Sequence, residues 1–92
     1  MVSAVILLKV ERSHIKPLAE RLAEFREVSE VFSVAGSYDV VAVVRVAKNE
    51  DLADLVTERL VKLHGIEASE TLIAFRSYGR KDVEAGFSLG TG

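Results

Sequence analysis

Four consecutive residues, Gly36-Ser37-Tyr38-Asp39, combine a flexible backbone with side chains suited to binding a small polar molecule. The Tyr38 ring is a flat apolar surface with a hydrogen-bonding hydroxyl, and the Asp39 carboxylate suits an ammonium group. A tight hairpin needs the glycine for a positive φ angle, but it does not need Tyr and Asp before a strand of valines. The structural alternative is that Tyr38 packs against the hairpin and Asp39 caps the turn. The residue types alone leave both interpretations open.

A second candidate group is Ser69 and Thr71, which share one face of the last predicted strand. Two small hydroxyls could line a polar pocket or bind carboxylate oxygens, although they also suit the ordinary polar face of an edge strand. His14 and His64 stand at a predicted helix start and a predicted helix end, without the spacing of a metal site. We therefore predict no catalytic residue, no metal site and no cofactor.

The elements that must position these residues follow from the hydrophobic pattern. Pro17 fits only in the first turn of a helix, so the first helix should begin between Ser13 and Lys16. Asn49 is a plausible cap for the second helix, and Gly65 is a plausible stop. The pattern predicts, in order, a strand over 2–10, a helix with the stripe Ile15, Leu18, Ala19, Leu22 and Phe25, a strand over 28–35, a strand over 38–46, a helix with the stripe Leu52, Leu55, Val56, Leu60 and Leu63, and a strand over 66–78.

This order of elements is that of the ferredoxin-like βαββαβ fold, an α+β class. It predicts a four-stranded antiparallel sheet with two helices on one face. The first and third strands are the most continuously apolar, as central strands should be, whereas the second and fourth include Glu, Ser and Thr. The chain is long enough for one domain, which we place at residues 1–79, followed by a tail at residues 80–92.

The face of the sheet without helices should be polar if it meets water, yet the pattern predicts that it is apolar. In the third strand Val41 and Val43, relieved only by Arg45, point opposite to a second apolar set, Val40, Ala42, Val44 and Val46. In the first strand Val5 and Leu7 likewise oppose Ala4, Ile6 and Leu8, so neither face is polar. The simplest cover is a second copy packed sheet to sheet as a two-fold dimer. The alternative cover is the tail, through Val83, Phe87 and Leu89.

Composition narrows the class of protein. Apolar residues make up 49% of the chain, the net charge is −2, and there is no cysteine. Disulfides and thiolate metal sites are therefore excluded, and the absence of a basic stripe argues against direct nucleic-acid binding by this chain. No apolar run approaches the ~20 residues that span a bilayer. We expect no membrane association and a cytoplasmic location.

Two segments carry a resemblance to a known family. Residues 31–41, VFSVAGSYDVV, resemble the V-x-x-V-x-G-x-Y-D hairpin of the Lrp/AsnC effector-binding domain, also called the RAM domain. Residues 63–72, LHGIEASETL, are similar to its L-P-G-V-x-x-T-x-T segment, with His64 for the frequent Pro and Ser69 for the first Thr. The resemblance covers about residues 2–78. Because the chain starts at the first strand, it resembles the stand-alone form, without the family's helix-turn-helix.

The resemblance implies a sheet-to-sheet dimer of the dimeric α/β barrel type, often assembled further into a ring of dimers. It also implies that an amino acid or related effector binds between dimers, near the hairpin. The Gly36-Ser37 backbone N–H groups would lie close to the effector carboxylate, Tyr38 would wall the pocket, and Asp39 would face the ammonium. Ser69 and Thr71 would lie nearby.

The leading hypothesis is therefore a regulatory domain that binds a small effector and modulates transcription-related partners by oligomer assembly, including a full-length Lrp/AsnC transcription factor. Two alternatives remain. The first is a cofactor-independent small enzyme of the dimeric α+β barrel type, which needs a polar cavity between sheet and helices. The second is a purely structural oligomerisation module.

Overall fold

The chain forms the six predicted elements in the predicted order. The computed structural model describes residues 1–79. Within them lie β1 (Val2–Val10), α1 (Ile15–Ala23), β2 (Val28–Ser33), β3 (Val40–Val46), α2 (Asn49–Asp54) and β4 (Ile66–Ile73). A 3₁₀ turn, Arg12–His14, leads into α1, and α2 continues through a π-helical turn, Leu55–Arg59, and a 3₁₀ turn, Leu60–Lys62. We call residues 49–62 the second helix. No helix among the described residues is long and apolar enough to cross a membrane.

The four strands form one antiparallel sheet in the order β2-β3-β1-β4. The two most apolar strands are therefore central, as predicted. The register places Ile6 opposite Ala42 on one side and opposite Thr71 on the other. This sheet with its two helices is the ferredoxin-like fold, and the predicted fold class is confirmed.

The core lies between the sheet and the helices. Alternate residues of β1 and β3 point toward the helices because side chains alternate along a strand. No polar or charged residue of the described chain is buried. The core residues, each at most 5% exposed, are Ala4, Ile6, Leu8, Val10, Leu18, Leu22, Val40, Ala42, Val44, Val46, Leu52, Leu55 and Leu60.

Four predicted boundaries differ from the observed ones. β2 ends at Ser33 rather than at residue 35, and β3 begins at Val40 rather than at residue 38, because the residues between them form the hairpin loop. β4 ends at Ile73 rather than at residue 78, because its partner β1 begins at Val2 and offers no backbone beyond the bond from Ala74 N–H to Ser3 C=O. The second helix is capped at Lys48 rather than at Asn49, and the Asp51 carboxylate accepts the Lys48 N–H at 3.3 Å.

The π-helical turn in the second helix explains how its buried face is built. The Leu60 N–H donates to the Leu55 carbonyl, five residues earlier, so the turn holds one extra residue. In a regular helix Arg59 would follow Leu52 and Leu55 on the buried face. The extra residue brings Leu60 into the core and leaves Arg59 exposed. Sequence analysis placed Leu60 in the buried stripe but did not detect this turn, because Leu60 also follows Val56 at a four-residue helical step.

The sheet face away from the helices, here called the outer face, is apolar at its centre. Val5, Leu7, Val41 and Val43 are half-buried there, and Phe32 and Leu72 beside them are each 46% exposed. The prediction that neither sheet face is polar is confirmed. The tail residues Val83, Phe87 and Leu89 lie outside the described residues. The charged residues on the outer face are Lys9, Glu30, Arg45 and Glu70.

Candidate functional site

The candidate site is the loop that joins β2 to β3. The Val34 N–H donates to the Asp39 carbonyl at 2.9 Å and closes the hairpin, while the Asp39 N–H donates to the Leu8 carbonyl of β1 at 2.8 Å. Gly36 has a φ of 133°, a conformation that side chains disfavour. The predicted need for glycine at this turn is confirmed.

Asp39 has a structural role that the sequence suggested only in part. Its Oδ2 accepts the Val10 N–H of β1 at 2.8 Å, in a half-buried position. β3 begins after Asp39, so the carboxylate replaces the strand carbonyl that Val10 would otherwise meet. Asp39 thus caps β1, 29 residues away in sequence, rather than the local turn that the structural alternative assumed. One carboxylate oxygen is committed to this bond.

Tyr38 crosses the outer face to the far edge of the sheet. Its hydroxyl donates to Glu70 Oε1 on β4 at 2.6 Å, and this bond to a carboxylate raises the pKa of Tyr38 above its usual value. The Lys9 ammonium donates to the Ser37 carbonyl at 3.1 Å. The loop is therefore tied to both β1 and β4. Sequence analysis did not select Lys9 or Glu70, although side-chain alternation along β1 and β4 puts both on the face of Tyr38.

Ser69 and Thr71 lie on the opposite face of the sheet from the Tyr38–Glu70 bond. They pair with Leu8 and Ile6, whose side chains point toward the helices. Ser69 is exposed and Thr71 is half-buried. The six predicted site residues thus form two groups in one subunit: residues 36–39 in the loop, and the two hydroxyls on the helix side of β4.

Two backbone N–H groups of the loop are available as donors. Within residues 1–79 the N–H groups of Gly36 and Ser37 donate no hydrogen bond, and the Lys9 ammonium lies close to Ser37. Such N–H groups beside a cation suit a carboxylate. The described chain holds no cluster of three side chains that could bind a metal ion. The Tyr38 hydroxyl and one Asp39 carboxylate oxygen are both engaged in hydrogen bonds within the domain.

A model of the Lrp/AsnC ligand-binding domain matches residues 3–83. The chain belongs to the Lrp/AsnC family. The match includes the loop and β4, and it agrees with the observed fold. The family assignment made from the hairpin and from residues 63–72 is confirmed.

Relatives and solved structures support the Lrp/AsnC assignment. An uncharacterised HTH-type transcriptional regulator of Pyrococcus furiosus is 34% identical over 70 residues, which are 76% of this chain and 47% of the relative. TTHA0845 from Thermus thermophilus is 44% identical with a TM-score of 0.82, over 87% of this chain and 100% of that one. A Neisseria meningitidis transcriptional regulator in complex with L-Met has the same fold, at 15% identity and a TM-score of 0.77, over 85% and 52%.

This Lrp/AsnC domain spans about half the length of the curated relatives it matches. Those relatives are named transcriptional regulators, and none of their names denotes an enzyme. The enzyme alternative required a polar cavity between sheet and helices. In the described part of the chain that space is filled by aliphatic side chains, without a buried polar residue.

Proposed function

We propose that this domain binds an amino acid or a related small effector at a boundary between subunits, beside the loop formed by residues 36–39. The observation that carries the proposal is the loop itself. Its Gly36 and Ser37 N–H groups, which donate to no acceptor within residues 1–79, lie together with the Lys9 ammonium and the Tyr38 ring at the end of an apolar sheet face. The N–H groups and Lys9 suit the effector carboxylate. Asp39 suits its ammonium group.

The Neisseria regulator of the same fold, a complex with L-Met, supports the choice of an amino acid as ligand class. Ser69 and Thr71 enter the proposal through a second subunit. They lie on the other sheet face from the Tyr38–Glu70 bond, so they reach an effector at the loop only if another copy supplies them. An effector held by two copies has no complete site in one isolated subunit.

The same proposal includes a dimer that covers the outer face. Burying several hundred Å² of apolar surface on each copy stabilises association by on the order of 10 kcal/mol, before the entropic costs of association. Glu30 and Glu70 share this face with Lys9 and Arg45, so a two-fold partner can place opposite charges together. The dimer leaves the loops free to join further dimers into a ring.

Regulation would follow from assembly. An effector bound between dimers stabilises the assembled state over the separate dimers, because it contacts both only when they are joined. The partner in such an assembly can be a second copy or a full-length Lrp/AsnC transcription factor that carries the same domain. Transcription would respond to the effector through the size of this assembly.

Titration calorimetry against each standard amino acid, combined with light scattering, tests the proposal. We expect one or a few amino acids to bind and to increase the mass of the assembly. Tyr38→Phe, which removes the hydroxyl bonded to Glu70, should weaken binding, whereas Tyr78→Phe, at the other tyrosine of the chain, should not. Absence of binding with every amino acid, together with an unchanged mass, would leave a structural oligomerisation module as the better description.

A further inference from the structure

A second concave surface lies on the helical side of the molecule, away from the residue 36–39 loop. It is an open cleft of about 780 Å³ between α1 and the end of the second helix, here called the helical cleft. Its volume falls in the range of small-molecule sites. The floor is apolar, and the side chains that form it include Leu18, Phe25 and Leu63.

Cationic side chains dominate the lining of the helical cleft. They are Arg21, Arg26, Arg59 and Lys62, against one lining carboxylate, Glu24. The chain as a whole has a net charge of −2, so this concentration is local and does not reflect a basic composition. Arg21 pairs with Glu24 at 2.8 Å and Arg59 pairs with Glu27, so the net positive charge of the cleft comes from Arg26 and Lys62. A cleft with a net charge of one sign over an apolar floor raises the local concentration of the opposite charge.

The two arginines nearest the floor are held in position. The Arg59 guanidinium lies 4.6 Å from the centre of the Phe25 ring, and the Arg21 guanidinium lies 5.8 Å from it. Arg59 Nη1 also donates to Glu27 Oε2 at 2.6 Å. A guanidinium has five N–H donors, so this bond leaves others for a ligand. An arginine that is fixed against an aromatic ring is pre-organised for bidentate hydrogen bonding to a phosphate or a carboxylate.

Arg59 is the last residue of the π-helical turn, and the turn places it at the helical cleft. Without its extra residue, Arg59 would follow the buried leucines of the second helix rather than lie over Phe25. Turns of this kind are rare and frequently occur at functional sites. Arg26 and Lys62 add charge at the same cleft, and within residues 1–79 neither takes part in an ion pair.

We propose that the helical cleft binds a nucleoside phosphate. The arginines and Lys62 would bind the phosphate oxygens, and the apolar floor beside Phe25 would accept the base and sugar. A free amino acid fits this cleft poorly, because its ammonium group would enter a cationic surface. The inference is independent of the effector site at the loop.

Titration calorimetry of the intact chain with ATP at low salt tests this proposal. We expect ATP to bind, adenosine not to bind, and inorganic triphosphate to bind more weakly than ATP. The double variant Arg26→Gln/Lys62→Gln should weaken ATP binding by roughly tenfold or more, because each change removes a charge-assisted contact. The matched control Arg12→Gln/Lys48→Gln removes the same charge from two exposed residues that do not line the helical cleft, and it should bind ATP like the wild type.

The histidine side chains supply a second readout, since the chain has only two and both line the helical cleft. ATP should shift the ring NMR signals of His14 and His64 in the wild type. Equal ATP affinity in both double variants, or unchanged histidine signals at saturation, would overturn the site. Adenosine binding as tight as ATP would overturn phosphate recognition, and triphosphate as tight as ATP would overturn the nucleoside part.

Discussion

At the scale of single residues, the hydrogen bond from Tyr38 to Glu70 joins the site loop to an edge strand and can be observed directly. Because the neutral hydroxyl donates to a carboxylate, the pKa of Tyr38 lies above its ordinary value of 10.0. The stability that this hydrogen bond contributes is therefore fully present below the pKa that Tyr38 has in the unfolded chain. It is lost as the pH rises through the pKa of Tyr38 in the folded protein.

We expect Glu70→Gln to lower the pKa of Tyr38, since the charged acceptor is removed. The measurement is ultraviolet titration of tyrosinate in a Tyr78→Phe background, where Tyr38 is the remaining tyrosine. Glu30→Gln, a change on the same face but at the other edge strand, is the control and should leave the titration unchanged. Coincident curves for Glu70→Gln and its parent would show that the bond is not formed in solution.

Substitutions can separate the structural role of Asp39 from its proposed role in effector binding. Asp39→Ala removes the acceptor for the Val10 N–H and should cost about 1 kcal/mol of unfolding free energy. Asp39→Asn keeps an oxygen in that position, so it should retain most of the stability while losing the charge proposed to face the effector ammonium. Urea denaturation measures the first effect and effector calorimetry the second. Equal effector affinity in wild type and Asp39→Asn would remove the ammonium contact from the proposal.

At the scale of elements, the turn between the second helix and β4 depends on Gly65. Its φ is 96°, and a Cβ at this position would clash with the His14 Cβ. The Gly65 carbonyl also accepts the Glu11 N–H at 2.8 Å, so the backbone cannot move away freely. The close approach of Gly65 to His14 therefore packs the end of the second helix against the start of α1.

We expect Gly65→Ala to destabilise the fold by more than the roughly 1–3 kcal/mol of backbone strain alone. Gly36→Ala is the matched control, because Gly36 also has a positive φ but meets no atom within 4 Å. Denaturant midpoints of the two variants give the comparison. Equal losses of unfolding free energy would mean that the contact with His14 relaxes without cost.

The ion pair between Glu27 and Arg59 links the turn between α1 and β2 to the second helix, and its contribution to stability should depend on pH. The hydrogen bond from Arg59 lowers the pKa of Glu27, although burial acts in the opposite direction. Because the pKa of Glu27 is lower in the folded than in the unfolded protein, the ion pair stabilises the fold at pH values above the unfolded pKa of about 4.5. This stability is lost as the pH falls through the folded pKa.

In the Glu27→Gln variant, the unfolding free energy should therefore fall less steeply than in the wild type as the pH is lowered through this range. Urea denaturation at a series of pH values measures it. Glu24→Gln is the control, because its pair with Arg21 is exposed on both sides and surface pairs contribute little. If the unfolding free energy of the wild type depended on pH no more than that of Glu27→Gln, the stabilising role of the Glu27–Arg59 pair would be contradicted.

At the scale of the whole molecule, the outer face predicts the oligomeric state. Phe32→Glu places a charge on this face and should convert a dimer to a monomer in light scattering at micromolar concentration. Val61→Glu is the matched control, since Val61 is 68% exposed on the second helix and lies away from the sheet. A monomeric wild type would refute the dimer, and the tail at residues 80–92 would then be the candidate cover.

Most of the architecture was predictable from the sequence because burial imposes a period on each element. Ala42 and Val43 differ little in chemistry, yet their alternation along β3 assigned each to a face. The Asp39–Val10 and Tyr38–Glu70 bonds were not predictable, since each joins residues about 30 apart whose proximity depends on strand order and register. The π-helical turn was also missed, because one extra residue leaves a 3.6-residue pattern nearly unchanged.

The strand order has a consequence for synthesis of the chain. β1 is made first but lies in the interior of the sheet, and the strand that pairs with its second edge, β4, is made after all the others. Until Ile66–Ile73 leaves the ribosome, the nascent chain presents an unpaired, strongly apolar edge at β1. Such an edge is a template for pairing between chains. Premature termination before residue 66 should therefore yield an aggregating fragment rather than a smaller soluble domain.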